Sequence, residues 1–207
     1  MDGHTLHPPQ RIEVFLETDR LILRRFTDAD VDNLVGLDAD PHVMFFISGG
    51  IPTARDEIET SVLPRFLWYH ATFPGWGFWA VIEKMSGDFI GWFHLRPDPE
   101  DSIPDEPELG YRLRRSAWGN GYATEGARAL VDKAFADLGA SRVFATTMAV
   151  NRASRRVMEK AGLRFERAFH ADWPVQISGD EHGDVEYAIT REEWEWDRCP
   201  QGALGET

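Results

Sequence analysis

One apolar stripe constrains this chain more than any other feature. Ala127, Leu130, Val131, Ala134, Phe135 and Leu138 fall at i, i+3, i+4, i+7, i+8 and i+11, and Gly139 follows them. That is the period of an amphipathic helix with one buried face and a glycine stop. Apolar runs that read as strands flank it, Glu108–Arg114 before and Arg142–Val150 after. A helix with one apolar face between two strands must bury that face, which calls for layered helix and sheet.

The rest of the chain extends the pattern. Arg20–Phe26 alternates and reads as a strand. Thr27 with Asp30 three residues on resembles a helix-opening box, followed by Val31, Leu34 and Val35 at helical spacing. A second helix opens at Thr53, with Pro64 as a break or kink. Trp76–Lys84 and Asp88–Arg96 form a hairpin across Met85-Ser86-Gly87. Residues 97–108 hold four prolines, six acids and no base, and must be a loop. Asn151 caps a short helix ending at Ala161-Gly162. Leu163–Trp173 and Val185–Thr190 read as strands, and Arg191–Trp196 as a tail helix. The expected order is a strand, two helices, three strands, a helix, a strand, a helix and two strands. This is a mixed α/β (α+β) sheet in one domain over 16–198, with an N-terminal arm over 1–15 and a tail over 199–207.

Composition narrows the function. With 207 residues, 43% hydrophobic, the chain can build a core and is not disordered. No apolar run approaches the roughly 18–20 residues of a membrane span, and Met1-Asp2-Gly3-His4 lacks a secretory pattern. A lone cysteine, Cys199, offers no internal disulfide, so a cytoplasmic setting is expected. The net charge of −13 disfavours nucleic acid. That charge is uneven. Residues 108–168 carry 12 Lys/Arg against 6 Asp/Glu, a local +6 that leaves −19 elsewhere. The seven histidines show no metal-ligand spacing, and no metal is expected.

Two segments carry chemistry. Trp118-Gly119-Asn120-Gly121-Tyr122-Ala123-Thr124-Glu125 joins a strand to the long helix. Glycines there let backbone N–H groups approach a phosphate at a helix N-terminus; a tight turn with no ligand explains the same glycines. The segment is neither a Walker A loop nor G-x-G-x-x-G. The second segment runs from Asn151 to Phe165, N-R-A-S-R-R-V-M-E-K-A-G-L-R-F, one helix and one strand later.

Together the two segments resemble the GNAT superfamily of acyl-CoA-dependent N-acetyltransferases, and more narrowly the branch that includes the ribosomal-protein N-terminal acetyltransferases. The resemblance is strong over 108–167. It implies a splayed mixed sheet with helices on both faces and acetyl-CoA in the V between the fourth and fifth predicted strands. It implies that Arg112, Leu113 and Arg114 meet the pantetheine arm through their backbone. Gly119, Asn120, Gly121, Tyr122, Ala123 and Thr124 would wrap the pyrophosphate, and Asn151 would hydrogen-bond beside the thioester. Arg114, Arg115, Arg155 and Arg156 are candidate phosphate partners, though for any single one a solvated surface charge is the better explanation.

For catalysis, Glu108 matches the general base that some members use, and also reads as the last acid of the 97–108 run. The chain departs from the pattern at Thr146, where many relatives have glutamate, and at Met158, where many have a tyrosine acid. Ser154 is therefore the candidate acid or thiol-orienting group, with Tyr111, Tyr122 and Tyr187 behind it. The acceptor site should lie among His42–Ile47 (a loop between the first two helices), Trp68, Tyr69, His70, Trp76, Trp79, Trp92 and His94. These aromatics equally suit a core.

The expected activity is acetyl transfer to a primary amine, a protein N-terminus or a small cationic amine, by direct attack in a ternary complex. The acidic 97–108 run and Asp180, Glu181, Asp184 and Glu186 lean towards a cationic acceptor. A non-catalytic acyl-CoA-binding or sensing domain is the alternative. A homodimer stays open, since nothing in the sequence reads it out.

Overall fold

Alternating and wholly apolar runs become the strands of one eight-stranded sheet in the computed structural model, which describes residues 13–98, 105–173 and 176–199. The strands are β1 Val14–Glu17, β2 Leu21–Arg25, β3 Gly77–Glu83, β4 Phe89–Arg96, β5 Glu108–Leu113, β6 Arg142–Met148, β7 Arg164–Phe169 and β8 Asp184–Thr190. Their spatial order is β1-β2-β3-β4-β5-β6-β8-β7, antiparallel throughout except where β5 meets β6. The helices are α1 Val31–Asp38, α2 Pro41–Ser48, α3 Arg55–Glu57, α4 Leu63–Thr72, α5 Tyr122–Ala136, α6 Arg152–Lys160 and α7 Arg191–Arg198.

Helices cover both faces. The stripe of α5 buries Ala127, Leu130, Val131, Ala134 and Phe135 against Phe93, Leu109, Val143 and Tyr187. On the other face Leu34 and Leu37 of α1 and Phe66 and Tyr69 of α4 pack on Phe78, Ala80 and Trp92. Each fully buried side chain of this kind contributes roughly 1.5–3 kcal/mol.

Several expectations need correction. Val14–Glu17 pairs with β2 and Phe15 stacks on Trp79 at 3.6 Å, so Val14 and Phe15 of the expected 1–15 arm belong to the sheet. The 99–104 part of the acidic run, residues 1–12 and residues 200–207 of the tail lie outside the described residues. His42–Ile47 is not a loop but most of α2. Asp40 caps it by accepting from His42 N at 2.8 Å, Pro41 opens it, and Gly49 ends it at φ +70°. Thr53 opens no helix; its hydroxyl donates to Asp38 Oδ2 at 2.6 Å. Pro64 breaks nothing, because a π-turn at Ile58–Val62 precedes it and the proline sits in the first turn of α4, where its missing N–H is not needed. The strand expected over Leu163–Trp173 stops at Phe169. Because β1 adds a strand, Glu108 opens the fifth strand rather than the fourth.

Candidate active site

The sheet is two fully paired halves held by a narrow bridge. β5 pairs with β4 along its length, from Gly91 opposite Leu113 to Arg96 opposite Glu108. β6 pairs with β8 just as completely. Between β5 and β6 a single register pair remains, Glu108 opposite Phe144. Beyond it the strands diverge around a cleft of about 710 Å³. The Arg114 N–H donates to the Ile90 carbonyl at 2.8 Å. By the period of two, the Arg112 N–H also faces β4, whereas those of Tyr111 and Leu113, past the bridging pair, face the cleft. The free edge thus offers the Tyr111 and Leu113 N–H groups to an extended amide chain, while the Leu113 carbonyl accepts from Trp118 Nε1 at 2.9 Å. Of the three residues expected to pair with pantetheine, Leu113 alone turns its N–H that way.

At the open end sits the glycine loop. Gly119 and Gly121 have φ of +77° and +82°, a region other residues avoid, and a Cβ on Gly119 would meet nothing within 4 Å. No side chain caps α5, so the N–H groups of Tyr122, Ala123 and Thr124 are left for a ligand. This is an anion cradle, open in front and pre-shaped behind. Arg20 locks it. Its Nε donates to Glu125 Oε2 at 2.7 Å, its NH1 to the Asn120 carbonyl at 3.0 Å, and its guanidinium lies 4.6 Å over the Tyr122 ring. Thr18 donates to Glu125 Oε1 at 2.6 Å. Burial would raise the Glu125 pKa, but the Thr18 and Arg20 hydrogen bonds outweigh it and lower it. The sequence reading missed Arg20 and Thr18, which lie more than 100 residues away with no local pattern to mark them.

The arginines expected at phosphate separate. Arg156 lines the cleft. Arg155 instead donates to Tyr187 Oη at 3.1 Å and the Ala149 carbonyl at 3.0 Å. Arg114 lies 5.4 Å over the Phe89 ring, with Gly36 of α1 beside it. Arg112 sends its side chain to the α1 face, where NH1 donates to Asp38 Oδ1 at 2.6 Å.

Further into the cleft, Asn151 caps α6. Its Oδ1 accepts from Ser154 N at 3.2 Å and its Nδ2 donates to Thr147 Oγ1 at 3.1 Å, leaving one amide hydrogen. Ser154 Oγ is 2.9 Å from Tyr111 Oη, which also donates to the Ser154 carbonyl. Burial pushes the Tyr111 phenol above its ordinary value, so it stays protonated. Met158 is buried in the core.

At the closed end, Glu108 Oε2 accepts from Arg96 at 2.6 Å and Oε1 from Thr146 at 3.1 Å. Thr146 therefore helps orient Glu108. His94 Nε2 is 3.6 Å from Glu108 Oε2. Burial first, then Arg96, Arg65 and Arg112, holds the His94 pKa well below the usual histidine range, so the ring is neutral at pH 7. A Cβ on Gly110 would come within 2.4 Å of His94 Nε2, which is why glycine stands there.

The aromatic set divides in the same way. Residues of α2, with Trp92 and His94, line the cleft, while Trp76, Trp79 and Tyr69 are core and Trp68 is exposed. Asp184 and Glu186 serve structure. Asp184 accepts from Ala171 N and Trp173 Nε1, and Glu186 accepts from Arg142 and Arg167. Among the described residues no cluster of three His, Cys, Asp or Glu could hold a metal, and no helix is long and apolar enough to cross a membrane.

A splayed parallel strand pair with a glycine anion cradle at one end and a carboxylate at the other defines an acyl-CoA-dependent transferase. The family model for the acetyltransferase (GNAT) domain matches residues 20–164, and the chain belongs to that family and is an N-acetyltransferase. It is 38% identical over 184 residues to the FsC-acetyl coenzyme A-N(2)-transacetylase of Aspergillus fumigatus, covering 86% of this chain and 77% of that one. A GNAT-family acetyltransferase from Bacillus anthracis superposes with a TM-score of 0.69 at 23% identity, over 87% of this chain and 98% of that one. RimL, the ribosomal L7/L12 alpha-N-protein acetyltransferase, solved with coenzyme A, superposes with a TM-score of 0.70 at 18% identity, over 86% and 98%.

Proposed function

We propose that the protein transfers the acetyl group of acetyl-CoA to a primary amine by direct attack within a ternary complex. The carrying observation is the cleft itself, with its cradle and Glu108 at opposite ends of one free strand edge. The N–H groups of residues 119–124 and Arg156 would hold the pyrophosphate, and the Leu113 and Tyr111 N–H groups the pantetheine amides. Asn151 would orient the thioester with its remaining amide hydrogen.

Glu108 supplies the base. Arg96 occupies Oε2, but Oε1 accepts only the neutral Thr146 hydroxyl and keeps a lone pair for the amine proton, directly or through water. A free-edge N–H of β5 stabilises the tetrahedral oxyanion. The Ser154 hydroxyl, held 2.9 Å from Tyr111 Oη, donates a hydrogen bond to the departing thiolate and stabilises its charge until solvent protonates it. Cys199, the only cysteine, is exposed after α7 and carries no acyl group.

The acceptor is a protein N-terminus or a small amine. The name of the Aspergillus relative, which specifies transfer to a nitrogen, supports N- over O-transfer. The experiment is coenzyme A release with a panel of peptide N-termini, amino acids, polyamines and aminoglycosides. Binding of acetyl-CoA without turnover on any of them would defeat the proposal in favour of an acyl-CoA sensor.

A further inference from the structure

A second chamber of about 490 Å³ shares Ile47, Trp92, His94 and Arg112 with the acceptor end of the cleft. Three arginines line it, Arg65 from α4, Arg96 from β4 and Arg112 from β5. Each lies over an aromatic ring, Arg65 at 5.9 Å from Phe78, Arg96 at 5.9 Å from Tyr69 and Arg112 at 5.0 Å from Trp92. Two of the three are neutralised. Arg96 pairs with Glu108, and Arg112 with Asp38, whose other oxygen takes the Thr53 hydroxyl. Arg65 has no carboxylate partner among the described residues, and Glu57 on the chamber wall bonds to none of the three. Desolvation first, then the neighbouring Arg96 and Arg112 cations, lowers the Arg65 pKa. The walls also hold donors without acceptors, since Arg112 Nε and the one N–H of the neutral His94 ring are buried without a partner.

Buried donors without acceptors, beside an exposed guanidinium that no carboxylate among the described residues neutralises, suit an acceptor-only group of negative charge. We infer that this chamber is a carboxylate subsite, with Arg65 as its open ligand, and that the enzyme selects small amines bearing a carboxylate. The inference rests on the reading of the cleft above and narrows its acceptor class. Glu108 would receive the amine proton while Arg65 takes the carboxylate, with Arg96 spanning the two. It qualifies the lean towards a cationic acceptor, because Asp184 and Glu186 are consumed by structural bonds.

The test uses matched pairs, glycine, β-alanine, 4-aminobutanoate and 6-aminohexanoate against their amides, with wild type and Arg65→Gln. Arg65 lies at the exposed rim, so the variant should fold. At least one acid should exceed its amide in kcat/KM by roughly 10–100-fold, the range of one charge-assisted contact. Arg65→Gln should remove that preference through KM and leave the amide unchanged. Calorimetric binding of the same pairs to the coenzyme A-loaded protein gives a readout independent of turnover. Equal or undetectable binding of every acid and amide overturns the subsite, as does discrimination that survives in Arg65→Gln. Turnover failing for all amines while acids still bind through Arg65 would instead count against the catalytic reading alone.

Discussion

Gly121→Val isolates the anion cradle, and Gly139→Val provides its control. The two glycines bracket α5 with nearly the same backbone, φ +82° and +77°. A Cβ on Gly139 meets nothing within 4 Å, and one on Gly121 meets Arg20 NH2 at 3.5 Å, an ordinary contact. Both substitutions therefore carry the same conformational penalty, about 1–3 kcal/mol for a β-branched residue in the left-handed region. They differ in what stands in front. At Gly121 the branched side chain and any relaxation of φ disturb the N–H groups of Tyr122, Ala123 and Thr124. A hydrogen bond to a charged group is worth about 1.5–3 kcal/mol, so losing two costs roughly 3–6 kcal/mol, or roughly 10²–10⁴-fold in affinity. Calorimetry with acetyl-CoA and thermal unfolding of both variants make the measurement. The expected result is matched destabilisation with affinity lost in Gly121→Val alone. Affinity within a factor of two of wild type in Gly121→Val, or an equal loss in Gly139→Val, would refute the cradle.

Three further outcomes follow from the site. Glu108→Gln should lower turnover by roughly 10²–10⁴-fold at pH 7 and by much less at pH 9, where more amine is already neutral; parallel pH–rate profiles offset less than about threefold would return Glu108 to loop acidity. Asn151→Ala should cost roughly 1–2 kcal/mol of stability as a lost cap and also slow turnover; a stability loss with unchanged kinetics leaves it only a cap. Burial, opposed by the hydrogen bond to the Phe78 carbonyl, lowers the His70 pKa to about 4. The unfolded chain takes up this proton near pH 6.5, the folded one only near 4, so stability is full above pH 7 and falls as pH drops through that window. Chemical denaturation from pH 7 to 4 should show a shallower decline in His70→Gln, and identical slopes would exclude this contribution.

What the sequence determined by itself is what near neighbours decide. The α5 stripe, its Gly139 stop, the Gly119 and Gly121 turn and the Asn151 cap depend on helical period, positive φ and bonds three residues apart, and all stand where the sequence put them. The α2 helix was equally local, since Asp40-Pro41 and Gly49 are a cap, a first-turn proline and a stop. Its apolar run, Val43–Ile47, is too short to show a helical period. Tertiary structure decided the rest. Only the folded sheet shows β5 and β6 meeting at one pair, because each strand is fully hydrogen-bonded to its outer neighbour and nothing draws the inner edges together. The bonds that aim the site span distances no local pattern encodes, 105 residues from Arg20 to Glu125, 74 from Arg112 to Asp38 and 43 from Tyr111 to Ser154. Side-chain direction settled the arginines in the same way. Arg112 and Arg114 lie on strand positions facing α1, away from the cradle, and Arg155 is drawn to Tyr187, so Arg156 remains on the cleft wall.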